Sequence, residues 1–316
     1  MSMHAELKGV LLMTYGTARN AEEIPGYLSS VRGGRDVPAE LIAEFQRRFA
    51  LVGASPLIAI TVEQAEALER RLNDEAGPDR FLVRAGMQHS APTIREALGE
   101  LRDAGATEIV GIVLAPQFSP RVMRGYLHAV SSAEKELGLE RPVRVAESWH
   151  QTPAFIEAVA ERVEQALQGL TEELRATVGV VFTAHSLPKS VADNEPGYLK
   201  DLHDTAVDVA AKVLLPVDRW SFAYQSAGYT REEWLKPDLT DAMRQLHAEG
   251  HRVVLVVPVQ FLSDHHEILY DIDVAAQKQA DQEGVLLLRT ASLNASPLLI
   301  EALAAVAHRE LASRTV

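Results

Sequence analysis

The sequence predicts an α/β protein made of two similar domains, each a four-stranded parallel sheet flanked by helices. Three observations carry this prediction. Short β-branched apolar runs alternate with longer amphipathic stretches, the runs number eight, and the eight divide into two sets of four that resemble each other in order. The first set is GVLLMTY around Val10, FLVRAGM around Val83, EIVGIVLA around Val110 and PVRVAES around Val143. The second is TVGVVFTA around Val180, WSFAYQ around Phe222, RVVLVVPV around Val254 and GVLLLRTA around Leu287.

Runs apolar at successive positions bury both faces, as strands inside a helix-covered parallel sheet do. Gaps of roughly 25–60 residues leave room for right-handed helical crossovers. Amphipathic patterns at residues 61–75, 91–103, 153–167 and 237–247 fill four of those gaps. The segments that follow the strands also match in order: TYGT, MQHSAP, APQFS and ESWHQTP against TAHSLP, YQSAG, PVQFLSDH and RTASLNASP. Gln117-Phe118 repeats as Gln260-Phe261, and PGYL occurs at Pro25 and again at Pro196. The reading is an internal duplication with a boundary near residue 150: domains at 1–150 and 151–316, the second ending in a C-terminal helix.

Composition narrows the function. The chain has 316 residues, 47% apolar and 24% charged, enough for two buried cores at about 150 residues per domain. It has no cysteine, which excludes disulfides, thiolate-bound zinc, iron–sulfur clusters and a thiol nucleophile. A net charge of −13 argues against nucleic acid, which requires clustered Lys and Arg. No run approaches the roughly 18 apolar residues of a transmembrane helix. The opening MSMHAELKGVLLMTYG lacks the basic flank of a signal peptide. A soluble, cytoplasmic protein without a membrane partner is expected.

Open parallel sheets bind ligands beyond the C-terminal ends of their strands. Those ends carry Tyr15, His89, Ser119, His185, Gln225, Asp264, His265 and Glu267, and two facing domains would set two such rims around one cleft. The first strand turn, Thr14-Tyr15-Gly16-Thr17, lacks the GxGxxG fingerprint of a dinucleotide site, and no P-loop or GxSxG elbow occurs. His266-Glu267-Ile268-Leu269-Tyr270 lacks the second histidine of a zinc-protease HExxH.

The strongest local signal is the run from Ser263 to Asp273, SDHHEILYDID. Ser263 or Asp264 would cap a helix there, with Glu267 supporting the cap. Asp264, Glu267 and Asp271, at i, i+3 and i+7, would then share one face. Such a row can pass protons or guide a divalent cation; the alternative is an acidic first turn that complements the helix dipole. His185 ends an apolar strand beside the one leading to Glu267. It reads either as a packed strand-end histidine or as a base facing the acid row. Arg32, Arg35, Arg121 and Arg124 could neutralise an anionic ligand or be ordinary surface charge. Ser55 and Tyr126 could add hydroxyl donors. Met13, Met87 and Met123 could line a flat apolar pocket or serve core packing.

Taken together, LLMTYGT, GASPL, IVLAPQFS, FTAHSLP, YQSAG with the following Trp234-Leu235-Lys236-Pro237, and VVPVQFLSDHHEILYDID resemble the ferrochelatases, in order and over nearly the whole chain. Tyr15 in MTYGT is similar to the monomeric coproporphyrin III ferrochelatases of Gram-positive-type bacteria; membrane-associated protoporphyrin enzymes typically carry Asn-Leu-Gly there. The resemblance implies two Rossmann-like, chelatase-type domains with a porphyrin cleft between them. It implies a lyase of haem biosynthesis that inserts Fe²⁺ into coproporphyrin III, forms coprohaem and releases two protons. No cofactor beyond substrate Fe²⁺ is implied, and handover of product to a downstream haem-pathway enzyme is.

The resemblance assigns His185, Glu267 and Asp271 to catalysis, His185, Glu267 and Tyr15 to the metal, and Tyr15, Arg32, Arg35, Ser55, Tyr126 and Arg124 to the porphyrin. The chain departs from the family in three places: glycines stand between Arg32 and Arg35, Gln88 replaces a lysine found in some relatives, and Ala275 replaces the third acid of the ladder. Alternative functions are a protoporphyrin IX ferrochelatase, a cobalt or nickel chelatase of a sirohydrochlorin-type ring, a porphyrin or haem carrier without catalysis, and, from fold alone, a pyridine-nucleotide oxidoreductase.

Overall fold

A computed structural model of the chain describes residues 6–228 and 232–313. The first five residues of the stretch read for a leader lie outside the described residues. All eight expected strands form: β1 Lys8–Thr14, β2 Phe81–Met87, β3 Glu108–Val113, β4 Arg144–Val145, β5 Val178–His185, β6 Trp220–Gln225, β7 Val253–Pro258 and β8 Leu286–Arg289. They make two four-stranded parallel sheets of the same order, β2-β1-β3-β4 and β6-β5-β7-β8. Identical order in both halves is the topological form of the duplication read from the turn sequences.

Twelve α-helices are described: α1 Ile24–Val31, α2 Ala39–Val52, α3 Leu57–Ala76, α4 Ile94–Asp103, α5 Pro120–Leu137, α6 Pro153–Gln168, α7 Glu172–Ala176, α8 Lys189–Ala192, α9 Pro196–Lys212, α10 Leu239–Ala248, α11 Gln277–Glu283 and α12 Pro297–Ala312. A π-helix, Ile268–Ala276, runs directly into α11.

The central strands have no polar face because helices cover both sides. Val10, Leu11, Leu12 and Met13 of β1 and Val180, Val181, Phe182 and Ala184 of β5 are all fully buried. At about 1.5–3 kcal/mol for each large side chain, these strands hold the sheets together against the chain's net charge. Helix starts follow local chemistry. Thr93 forms a capping box with Glu96, so α4 begins at Ile94, three residues after its amphipathic pattern starts. The Asp238 carboxylate accepts from Asp241 N–H and starts α10 at Leu239.

The chain divides into two compact units. The first holds the described residues up to Ala115, Pro120–Trp149 and those from Asn294 on; the second holds Pro116–Ser119 and His150–Leu293. The C-terminal helix therefore departs from the expected domain at 151–316. α12 buries Leu299, Ile300, Leu303 and Val306 and packs against α3 and β3. It is tied there by Arg71 to Glu301 (2.5 Å) and by Gln64 Nε2, which donates to the Asn294 carbonyl at 2.7 Å. Its apolar stripe is buried by the first sheet's helix layer, a choice that adjacency in sequence does not dictate.

Met13, Met87 and Met123 are core residues, 0%, 0% and 2% exposed, so they do not line an open pocket. Among the described residues no single helix is long and apolar enough to cross a membrane.

Candidate active site

In the second sheet, β5 pairs with β6 on one side and β7 on the other. Connections leave the strand ends in opposite directions there, which opens the crevice where parallel sheets bind ligands. His185 is the last residue of β5, and the segment after β7 runs through Gln260 and His265 to Glu267.

His185 is held at backbone and ring. Its N–H donates to Gln260 Oε1 at 2.8 Å, and Gln260 Nε2 donates to the Tyr198 hydroxyl at 2.5 Å. Tyr198, 2% exposed, comes from the second PGYL motif at the start of α9, and burial raises its phenol pKa. The imidazole Nδ1 lies 2.5 Å from the Ser186 carbonyl. A carbonyl only accepts, so Nδ1 carries a hydrogen, and in the neutral ring the lone pair is on Nε2. Nε2 lies 3.8 Å from Glu267 Oε1, with the two side chains 30% and 45% exposed. That is too far for a direct hydrogen bond and suits one divalent ion about 2 Å from each atom.

The segment after β7 corrects the expected acid row. At the start of the helix, His265 Nδ1 accepts the Glu267 N–H at 3.2 Å. Burial, then the neighbouring His185, pushes the His265 pKa down to about 3, so its ring remains a neutral acceptor. Phe261 lies edge-on to the His185 and His265 rings, with centroids 6.2 and 4.6 Å away. Asp264 precedes the helix and accepts from Ser292 Oγ at 2.8 Å and Arg289 Nη1 at 3.2 Å.

From Ile268 the backbone winds as a π-helix, a form that collects at functional sites. It carries Asp271, which accepts from Ser226 Oγ at 2.5 Å. Ser226 follows β6 with φ +59°, a left-handed conformation that non-glycine residues adopt only when the surroundings impose it. The row therefore has two members, Glu267 and Asp271.

In the first unit, Tyr15 leaves the end of β1 with 42% of its surface exposed and its ring edge-on to His89, centroids 4.5 Å apart. His89 Nδ1 is 2.9 Å from Ser30 Oγ, and burial lowers its pKa. Gly16 sits at φ +90°, and a Cβ there would collide with Ser90 Oγ, so only glycine lets the chain turn directly after Tyr15.

Tyr126 is 5% exposed; burial, reinforced by nearby Tyr15, raises its pKa. Gly125 leaves space that the Gln88 side chain fills, and a Cβ would collide with its amide nitrogen. The Ser55 hydroxyl accepts from Leu57 N–H at 3.4 Å at the start of α3. Arg32 Nε donates to the Asp36 carbonyl and Arg35 Nε to the Arg32 carbonyl, at 3.2 and 2.8 Å. Among the described residues none of Arg32, Arg35 and Arg124 is paired with a carboxylate.

Sequence reasoning did not assign site roles to Gln260, Tyr198, Ser226 or Arg289. The repeated Gln-Phe and PGYL motifs flagged the first two as structural markers; Ser226 lies 45 residues from its partner and had no local signal.

Among the described residues, no group of three His, Asp or Glu side chains converges as a metal cage. A divalent ion placed between His185 and Glu267 would keep further coordination positions open. Two four-stranded parallel sheets of one strand order are a chelatase-like fold, which solved chelatases share. The sirohydrochlorin chelatase SirB of Bacillus subtilis subspecies spizizenii, in complex with cobalt, gives a TM-score of 0.56 at 11% identity over 96% of this chain and 95% of its own. CbiX, the terminal enzyme of sirohaem biosynthesis in denitrifying bacteria, gives 0.51 at 14% identity over 96% and 99%.

The ferrochelatase family profile matches residues 7–311. A ferrochelatase of Deinococcus radiodurans is 37% identical over 96% of both chains. A coproporphyrin III ferrochelatase of a Geobacillus species is 37% identical over 96% of this chain and 97% of its own. The chain belongs to the ferrochelatase family, and metal chelation in haem biosynthesis goes with that membership.

Proposed function

We propose that the protein inserts Fe²⁺ into coproporphyrin III, with His185 and Glu267 acting on the metal side of the macrocycle and Asp271 continuing the acid row. The carrying observation is His185, its Nδ1 held by a carbonyl and its Nε2 3.8 Å from a Glu267 carboxylate oxygen. Insertion exchanges two pyrrole N–H protons for one Fe²⁺, so two protons must leave. Nε2 accepts a proton from the ring or ligates the incoming iron; Glu267 and Asp271 carry protons outward or cations inward. A flat ring hides its nitrogen lone pairs between N–H groups. Binding energy that buckles the ring exposes them.

Four propionates distinguish coproporphyrin III from protoporphyrin IX, which has two. Arg32, Arg35 and Arg124, free of carboxylates among the described residues, support recognition of the more anionic ring, with Ser55 and Tyr126 as further polar contacts. Tyr15 is proposed to orient the metal or the ring. The relatives named coproporphyrin III ferrochelatases point the same way.

The test is anaerobic Fe²⁺ insertion, followed by absorbance, with both porphyrins side by side. Faster turnover of coproporphyrin III is expected. Preference for protoporphyrin IX would move the substrate assignment, and tight binding of the metallated ring without turnover of either would replace the enzyme by a carrier. Arg32→Ala is expected to weaken coproporphyrin binding about three- to tenfold, with the loss shrinking at high salt. Fluorescence titration of the porphyrin reads it, and an unchanged affinity would remove Arg32 from the site.

A further inference from the structure

We propose that Arg289 is a positioning residue for metal insertion: one guanidinium clamps both ends of the segment that presents Glu267 and Asp271, and withholds Asp264 and Asp273 from the metal. This rests on the proposed chelatase role of His185 and Glu267.

Arg289 ends β8, where it lies opposite Val256 of β7, and its side chain is only 15% exposed. Nε and Nη2 donate to the two oxygens of Asp273, each at 2.8 Å, in the two-pronged geometry that guanidinium and carboxylate share. Nη1 faces Asp264 Oδ1 at 3.2 Å and also donates to the Thr290 carbonyl and Ser292 Oγ, at 3.2 and 3.3 Å. Ser292 Oγ in turn donates to Asp264, closing the network.

The two clamped carboxylates bracket the working segment. Asp264 immediately precedes His265, the ring that accepts the Glu267 N–H. Asp273 lies two residues beyond Asp271 on the π-helix. The guanidinium thus fixes the entry to the helix and its middle at once, which sets the direction of Glu267 toward His185.

Charge gives the second half of the inference. Ser263–Asp273 contains four carboxylates, Asp264, Glu267, Asp271 and Asp273. Asp264 and Asp273 both lie within 3.2 Å of one guanidinium, so without it these two carboxylates would be free to bind a divalent cation in competition with transfer to the ring. Arg289 occupies both, leaving the pair the proposed reaction uses. Lysine substitutes only in part, because a point ammonium supplies the charge but not the fixed two-pronged geometry.

The test compares the wild-type protein with Arg289→Ala, Arg289→Lys and the triple variant Arg289→Ala, Asp264→Asn, Asp273→Asn. Two readouts are taken: steady-state Fe²⁺ insertion, and calorimetric titration of porphyrin-free protein with Zn²⁺. Arg289→Ala is expected to lower kcat about tenfold or more, with KM for porphyrin within about twofold. It is also expected to bind Zn²⁺ at one site more than the wild type. Arg289→Lys should lie between the two, and the triple variant should lose the added Zn²⁺ site without recovering kcat.

An unchanged kcat in Arg289→Ala, a loss confined to KM, or no gain in Zn²⁺ binding would overturn the clamp. If Arg289→Ala does not fold, Arg289→Lys decides: wild-type kcat together with wild-type Zn²⁺ stoichiometry overturns it. Absence of insertion by the wild type would defeat the proposed function instead, and the Zn²⁺ titration would still judge the clamp.

Discussion

Replacing His185 with alanine is expected to lower Fe²⁺ insertion by about 10²–10⁴-fold while leaving porphyrin affinity within a few-fold of wild type. The imidazole has one nitrogen engaged by the Ser186 carbonyl and the other 3.8 Å from Glu267, so the side chain removed is the base or ligand and little else. Its backbone N–H still finds Gln260, which Tyr198 holds in place, so the strand end is expected to keep its shape. Anaerobic insertion kinetics paired with porphyrin fluorescence quenching separates the two effects. Loss of binding with retained turnover of the bound fraction would remove His185 from the chemistry.

Glu267→Gln is expected to reduce kcat by about 10²-fold with KM for porphyrin nearly constant. The amide keeps the carboxylate's shape but loses its charge and its capacity to take a proton, whereas the N–H contact with His265 belongs to the backbone and survives. Asp271→Asn should cost less, because Asp271 stands further along the row and its partner Ser226 Oγ can hydrogen-bond to an amide oxygen as well. Comparing the kcat of both variants with wild type checks the order: Asp271→Asn slower than Glu267→Gln would place Asp271, not Glu267, next to the reacting ring. Both experiments can be run with either porphyrin, so their outcomes stand apart from the substrate assignment.

The eight strands were legible because a parallel strand covered on both faces must be apolar at nearly every position, and β1, β5 and β7 are. That His185 and Glu267 would meet at one rim was legible because parallel topology gathers strand-end residues there, and β5 does lie beside β7. The acid row was legible only in part. Spacing of i, i+3 and i+7 assumes α-helical winding from Asp264 onward, but the helix starts after it, the backbone then winds as π, and Asp264 turns to Arg289 and Ser292.

Strand identity, the division into two similar sets and the residues at the strand ends follow from patterning along the chain, because burial on two faces and the crossover rule act within tens of residues. What needed the folded chain were the pairings across longer separations: α12 joining the first unit, Ser226 reaching Asp271, Gln260 and Tyr198 holding His185, and Arg289 binding Asp264 and Asp273. A side chain's hydrogen-bond partner is whichever complementary group packing brings within about 3 Å, and local periodicity carries no information about which group that is.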